Sequence, residues 1–269
     1  MSINLRSAAV AAMFYPESAA VLARQVAQML AAAPQVLPQR PKAIIVPHAG
    51  YIYSGPVAAS VYAPLAALRN SVRRIVLLGP THRVAIAGLA IPSSSAFATP
   101  LGNVPVDQQA LAALADLPQV VVNDAAHVDE HSLEVQLPFL QTIFGEFSLL
   151  PFAVGQASPE QIAEVLGRLW GGEETLIVVS SDLSHYLPYA TAQKIDAQTA
   201  QHIVDLDPTL HHQQACGAAP LNGLLLAARQ HSLQAQLLDL RNSGDTAGDK
   251  ARVVGYGAFA FYAAEQHAH

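Results

Sequence analysis

The chain has 269 residues, of which 52% are hydrophobic and 13% charged, with a formal net charge of −6. Such a composition excludes a mostly disordered chain, and the acidic balance without a basic cluster gives no electrostatic footprint for nucleic acid or an acidic membrane. The length suits one large α/β core, so a single domain over residues 1–269 is expected.

At the start, Arg6 followed by an apolar run to Phe14 has the outline of a short signal peptide, but Tyr15-Pro16-Glu17-Ser18 interrupts it at once. Helical spacing then resumes with Leu22, Val26 and Leu30, predicting a helix over 18–32. Residues 35–41 carry two prolines and read as a connection. Beyond it, strands are expected at 43–46, 74–78, 149–154, 175–180, 236–240 and 253–262. Helices are expected at 53–68, 107–117, 159–169, 189–204 and 217–230. Residues 92–105, rich in serine and proline, read as irregular. β-Branched runs alternating with alanine-rich helices define an α/β fold with buried strands. No stretch is long and apolar enough to span a membrane. A lone cysteine, Cys216, forms no intrachain disulfide, and with no export signal a cytoplasmic location is the expectation.

Ligands of open α/β sheets collect beyond the carboxyl ends of the strands. Three loops there present histidine: Pro47-His48-Ala49-Gly50, Pro80-Thr81-His82, and Ser181-Asp182-Leu183-Ser184-His185. Any one alone reads as a capping or loop-stabilising imidazole; three at equivalent positions read as a site. Cys216 heads the helix expected from 217, where the dipole favours a thiolate, although a single cysteine is more often a small buried hydrophobe. Thiolate and imidazole together suit iron, copper or zinc.

A dense polar cluster, His127-Val128-Asp129-Glu130-His131-Ser132-Leu133-Glu134, precedes an apolar helix in which Pro138 marks a kink or a later start. Its acidic residues also fit a helix N-terminus, while His131 and Glu134 stand closer to a functional reading. His202, His211, His212, His231, His267 and His269 read as surface residues. Gly50 to Gly55 lacks the Walker lysine and the dinucleotide glycine spacing. Neither Gly-x-Ser-x-Gly nor His-Glu-x-x-His occurs, which weakens serine-hydrolase and classical zinc-protease readings.

These motifs, together with Val10-Ala11-Ala12-Met13-Phe14-Tyr15-Pro16, Gly50-Tyr51-Ile52-Tyr53-Ser54-Gly55, Glu134-Val135-Gln136-Leu137-Pro138-Phe139, Cys216-Gly217, Asn242-Ser243-Gly244-Asp245 and Val253-Val254-Gly255-Tyr256, run in order along the whole chain. In them the sequence resembles the Memo family, of the type called AmmeMemoRadiSam system protein B. The resemblance implies the fold of class III extradiol dioxygenases: a single-domain α/β/α sandwich with a mixed central sheet and one vestibule. It implies metal ligands His48, His82 and Cys216, with iron(II) first and copper or zinc as alternatives. His185, with Asp182 nearby, falls at the extradiol acid/base position, and His131 and Glu134 are expected to position ligands or water. Cysteine where the extradiol enzymes carry a carboxylate argues against assured ring cleavage. Ala12 stands where the family usually has glycine.

The leading functional expectation is a non-haem metal-dependent oxidoreductase acting on a small molecule. A second is a factor that binds a peptide or handles metal without turnover, with radical-SAM and AMMECR1-domain proteins as partners implied by the resemblance. A third is a metal-dependent hydrolase using His185 or Glu134 as base.

Overall fold

The structure is a computed structural model that describes residues 4–35 and 37–264. Val36, His267 and His269 lie outside the described residues. The strands, in chain order, are β1 (Leu5–Arg6), β2 (Pro41–Val46), β3 (Arg74–Pro80), β4 (Leu89–Ile91), β5 (Ala96–Thr99), β6 (Gly102–Pro105), β7 (Val120–Val122), β8 (Ser148–Val154), β9 (Thr175–Ser180), β10 (His185–Leu187), β11 (Leu233–Asn242) and β12 (Val253–Ala263).

Nine of them form one mixed sheet in the order β10-β12-β2-β9-β3-β8-β4-β7, with β11 also pairing β12, along the edge opposite β2. The four central strands, β2, β9, β3 and β8, are mutually parallel. Antiparallel β12 flanks them on one side and antiparallel β4 on the other. Every residue of β9 is buried, as are the last four of β2 and the last six of β3. Continuous Val/Ile/Leu runs rather than alternation are what a strand covered on both faces requires. Each Val, Ile or Leu side chain removed from water contributes about 1.5–3 kcal/mol.

Crossovers account for the two covering layers. The connection from β2 to β3, through helix Tyr51–Tyr62, steps across the sheet in one direction, and that from β8 to β9, through helix Pro159–Arg168, steps in the other. Right-handed crossovers therefore place these helices on opposite faces. Helices Ala19–Ala32 and Leu137–Phe144 pack against the first, and helix Ala218–Gln230 against the second. Helix Pro159–Arg168 begins in a capping box, Ser158 accepting from the Gln161 N–H and Gln161 accepting from the Ser158 N–H.

Three expectations are corrected. Residues 63–68 form a 3₁₀ helix, because Pro64 has no N–H with which to continue the α ladder. The helix expected over 107–117 is regular only over Gln108–Ala112, capped by Asp107, and loosens into i to i+3 bonds before Pro118. Residues 92–105 are not irregular throughout: β5 and β6 make a hairpin that joins β1 in a second, three-stranded sheet.

Candidate functional site

All three histidine loops leave the carboxyl ends of neighbouring parallel strands, β2, β9 and β3. His48 is only 2% exposed, and its surroundings fix its tautomer. Ser180 Oγ donates its single proton to the Ser132 carbonyl at 2.6 Å and accepts from Gln136 Nε2 at 2.8 Å. Gln136 is itself oriented, accepting from the Tyr62 hydroxyl and donating to the Pro47 carbonyl. The remaining Ser180 lone pair therefore accepts from His48 Nδ1 at 2.9 Å, so the proton is on Nδ1 and Nε2 carries the lone pair, facing the Cys216 thiol. Burial, then the neighbouring His131, His82 and His185, holds the His48 imidazole well below the ordinary range and thus neutral.

His82 is held by the same logic with a different partner. Glu130 Oε1 accepts from His82 Nδ1 at 2.8 Å and Oε2 from the His82 N–H at 2.6 Å, while the Ser132 N–H donates to Oε1. Burial opposes a charge on Glu130, but the hydrogen bonds donated by the His82 ring and by the His82 and Ser132 N–H groups outweigh it and hold the carboxyl down to about 2. Again Nδ1 is committed and Nε2 is left as a ligand, the carboxylate–histidine arrangement of metal sites. His131 stacks on His82 with ring centroids 4.6 Å apart, and burial lowers its imidazole to about 4. Donor atoms of His48, His82 and His131 lie within 4.8 Å of one another, close enough to share one ion. Gly79 permits this closeness, since a Cβ there would meet Ser132 Oγ at 2.6 Å.

Cys216 reaches the group from the other side, its Sγ 3.2 Å from His48 Nε2. Gly217 lets the turn sit against β9, where a Cβ would meet that of Ser181 at 2.7 Å. The helix that begins at Ala218 does not make Cys216 a thiolate in the metal-free protein. Burial and the adjacent Asp182 push the thiol up to about 12. Asp182 ties the loops together, accepting from the His48 N–H on Oδ1 at 2.7 Å and from the Cys216 N–H on its carbonyl at 3.2 Å. Burial raises its carboxyl to about 7. His185 donates from Nδ1 to the Leu183 carbonyl at 2.8 Å, leaving Nε2 as an acceptor.

His48, His82, His131, Asp182 and His185 share one cavity of about 710 Å³. Glu134 is committed elsewhere. It pairs with Arg6 and accepts from the Tyr15 hydroxyl and from the N–H groups of Ala9 and Val10. Its contacts thus hold the amino-terminal segment over the site. Arg6 also donates to the carbonyls of Glu130 and His127.

Ser180 and Gln136 carry no signal in the sequence, and Glu130 lies in the dense polar cluster, where an acidic residue fits a helix N-terminus as well as a site. An acidic residue directly before His131 was the one available signal. Tyr186 and Arg252 also line the vestibule; Tyr186 is 63% exposed with φ 58°, and the Arg252 guanidinium lies 5.2 Å over its ring.

Fold and site together define an α/β protein with a histidine-rich centre, able to hold a metal ion, at the carboxyl edge of its parallel strands. The family model described as "Memo-like protein" matches residues 6–260. A MEMO1 family protein of Ignicoccus hospitalis is 37% identical, covering 96% of this chain and 98% of that one. Another from Aquifex aeolicus is 36% identical, covering 94% and 98%. The chain belongs to the Memo family. Among solved structures, that of an uncharacterized protein, JW3007 from Escherichia coli K12, is similar with a TM-score of 0.54 at 15% identity, covering 81% of this chain and 99% of that one. This likeness is one of fold. Among the described residues no helix is long and apolar enough to cross a membrane.

Proposed function

We propose that the protein is a metal-binding member of its family, with His48, His82 and Cys216 as ligands and His131 beside them, acting in redox chemistry on a small molecule in the vestibule. One observation carries the reading: His48 and His82 each have Nδ1 committed to an internal acceptor, so both present Nε2 lone pairs to the same space. Neutral imidazoles and a thiol match iron(II) or copper, with zinc as a third occupant, and do not match calcium or magnesium. When bound, a redox metal supplies electron transfer and Lewis acidity.

The chain's own groups then have separable tasks. Cys216 loses its proton on ligation and contributes the negative charge that the imidazoles lack. His185 Nε2 accepts a substrate proton, and the Leu183 carbonyl steadies the resulting imidazolium. Asp182 sets the distance between the His48 and Cys216 loops.

Metal analysis of anaerobically purified protein tests the ligand set. Stoichiometric iron or copper in the wild type, lost from His48→Ala and His82→Ala with circular dichroism unchanged, is the expected result. Full metal content in Cys216→Ala, with loss in His131→Ala, would replace the proposed set by three histidines. Metal-free wild type under all loading conditions refutes the reading.

A further inference from the structure

His82 forms a wall between two cavities. One is the vestibule that holds His48, His131, Asp182 and His185. A second, of about 540 Å³, shares His82 with it and is lined also by Cys216, His211 and His212 among mostly apolar or amide side chains. Cys216 lines this second cavity and is not among the residues lining the vestibule. Among the described residues no aspartate, glutamate, lysine or arginine lines it, so its ligating groups are three imidazoles and one thiol. Such a set attracts iron(II), copper or zinc and offers nothing to calcium or magnesium.

His211 and His212 are exposed, on the connection between helices Tyr189–Val204 and Ala218–Gln230, and nothing in the proposed chemistry uses them. Their loop is nevertheless held in place. Asn222, buried at the floor, donates from Nδ2 to the Leu210 carbonyl at 2.8 Å and accepts from the Leu210 N–H at 3.0 Å. The Gln214 side chain accepts from the His211 N–H at 3.1 Å, and the Gln214 N–H donates back to the His211 carbonyl at 2.9 Å. Adjacent exposed imidazoles on a fixed turn thus line the same cavity as the half-buried Cys216 and as His82.

We propose that this second cavity is the metal-loading route: His211 and His212 capture an ion at its mouth and pass it by ligand exchange to Cys216 and His82. The inference rests on the metal-centre reading above. No electron moves; the ion exchanges bonds to imidazole nitrogen for bonds to Sγ and Nε2, and the Cys216 proton leaves to buffer through the same cavity. The vestibule thereby stays available to substrate while the centre is filled through the second cavity.

Cobalt(II) is the probe. Metal-free protein is mixed anaerobically with it in a stopped-flow instrument, and the ligand-field and thiolate charge-transfer bands report arrival at the centre. In the double variant His211→Asn/His212→Asn the uptake rate is expected to fall by about tenfold with equilibrium stoichiometry unchanged, since the final ligands are intact. Ala219→Phe, which fills the second cavity, slows uptake likewise, whereas Ala247→Phe, which narrows the vestibule, leaves it at the wild-type rate. Wild-type rates and normal stoichiometry in both the double variant and Ala219→Phe overturn the loading route alone. Slowing by Ala247→Phe but not by Ala219→Phe overturns it in favour of entry through the vestibule. A wild type that takes up no cobalt overturns the metal-centre reading and the route with it.

Discussion

Replacing Glu130 with glutamine changes one atom and disturbs three hydrogen bonds. Both carboxylate oxygens accept from His82, one from the ring and one from the main chain, and Ser132 adds a third donor. A glutamine amide has one acceptor and one donor end. Either the amide NH₂ opposes the His82 N–H, or it opposes Nδ1 and drives the imidazole proton to Nε2, where it blocks ligation. The Glu130 carboxyl lies at about 2 against an ordinary 4.5 and is 2% exposed. A shift of that size corresponds to roughly 3 kcal/mol of native stability. Because the folded value is depressed, this contribution is complete above about pH 4.5 and disappears as the pH falls towards about 2. Metal-free Glu130→Gln should therefore be destabilised by about 3 kcal/mol near neutral pH, a difference that shrinks across that acid window. Its metal affinity should also fall by about 10–100-fold. Urea unfolding of both metal-free proteins over that pH range, with competition titration of the metal, measures the two effects. A loss below about 1 kcal/mol with parallel pH profiles would refute the role assigned to the carboxylate.

Three further outcomes follow from separate features. Ala12 has φ 67°, a left-handed conformation that costs alanine about 1–2 kcal/mol; after allowance for the greater freedom of unfolded glycine, Ala12→Gly should stabilise by about 0.5–1 kcal/mol in thermal unfolding. Asp182 has its folded value raised to about 7, so in the metal-free protein its burial costs stability increasingly as pH rises from its ordinary 3.8. Metal-free Asp182→Asn should gain about 2–4 kcal/mol over wild type at about pH 8 and nothing near pH 4, and an equal difference at both would count against it. Glu134→Gln breaks the buried pair with Arg6 and should cost about 3 kcal/mol in denaturant, while the metal content of the folded fraction stays at the wild-type level.

The central strands could be read from the sequence because burial on both faces leaves an unbroken apolar run, as in residues 176–179 of β9. Leu89–Ile91, Val120–Val122 and His185–Leu187 could not, since three residues carry no periodicity and owe their pairing to longer neighbours. His48, His82, Asp182 and His185 were visible for a topological reason: parallel strands deliver their loops to one edge. The partner of His82 was not. Glu130 lies 48 residues away, and no local pattern distinguishes a carboxylate that accepts from a distant imidazole from one that favours a helix start. Glu134 shows the same limit more sharply, because its partners Arg6 and Tyr15 meet it only in the folded protein.

The position of β12 has a consequence for how the protein is made. It is the last strand of the sheet, yet it covers the outer edge of β2 and holds β10, which carries His185. Ile45 thus waits for Phe259, roughly two hundred residues later in synthesis, and that separation makes the closing step slow. A nascent chain at the ribosome can have His48 and His82 in place while the segment bearing His185 still has no strand to dock against. A carboxy-terminal truncation into residues 253–263 would expose an unpaired strand edge and leave β10, with His185, without its partner strand.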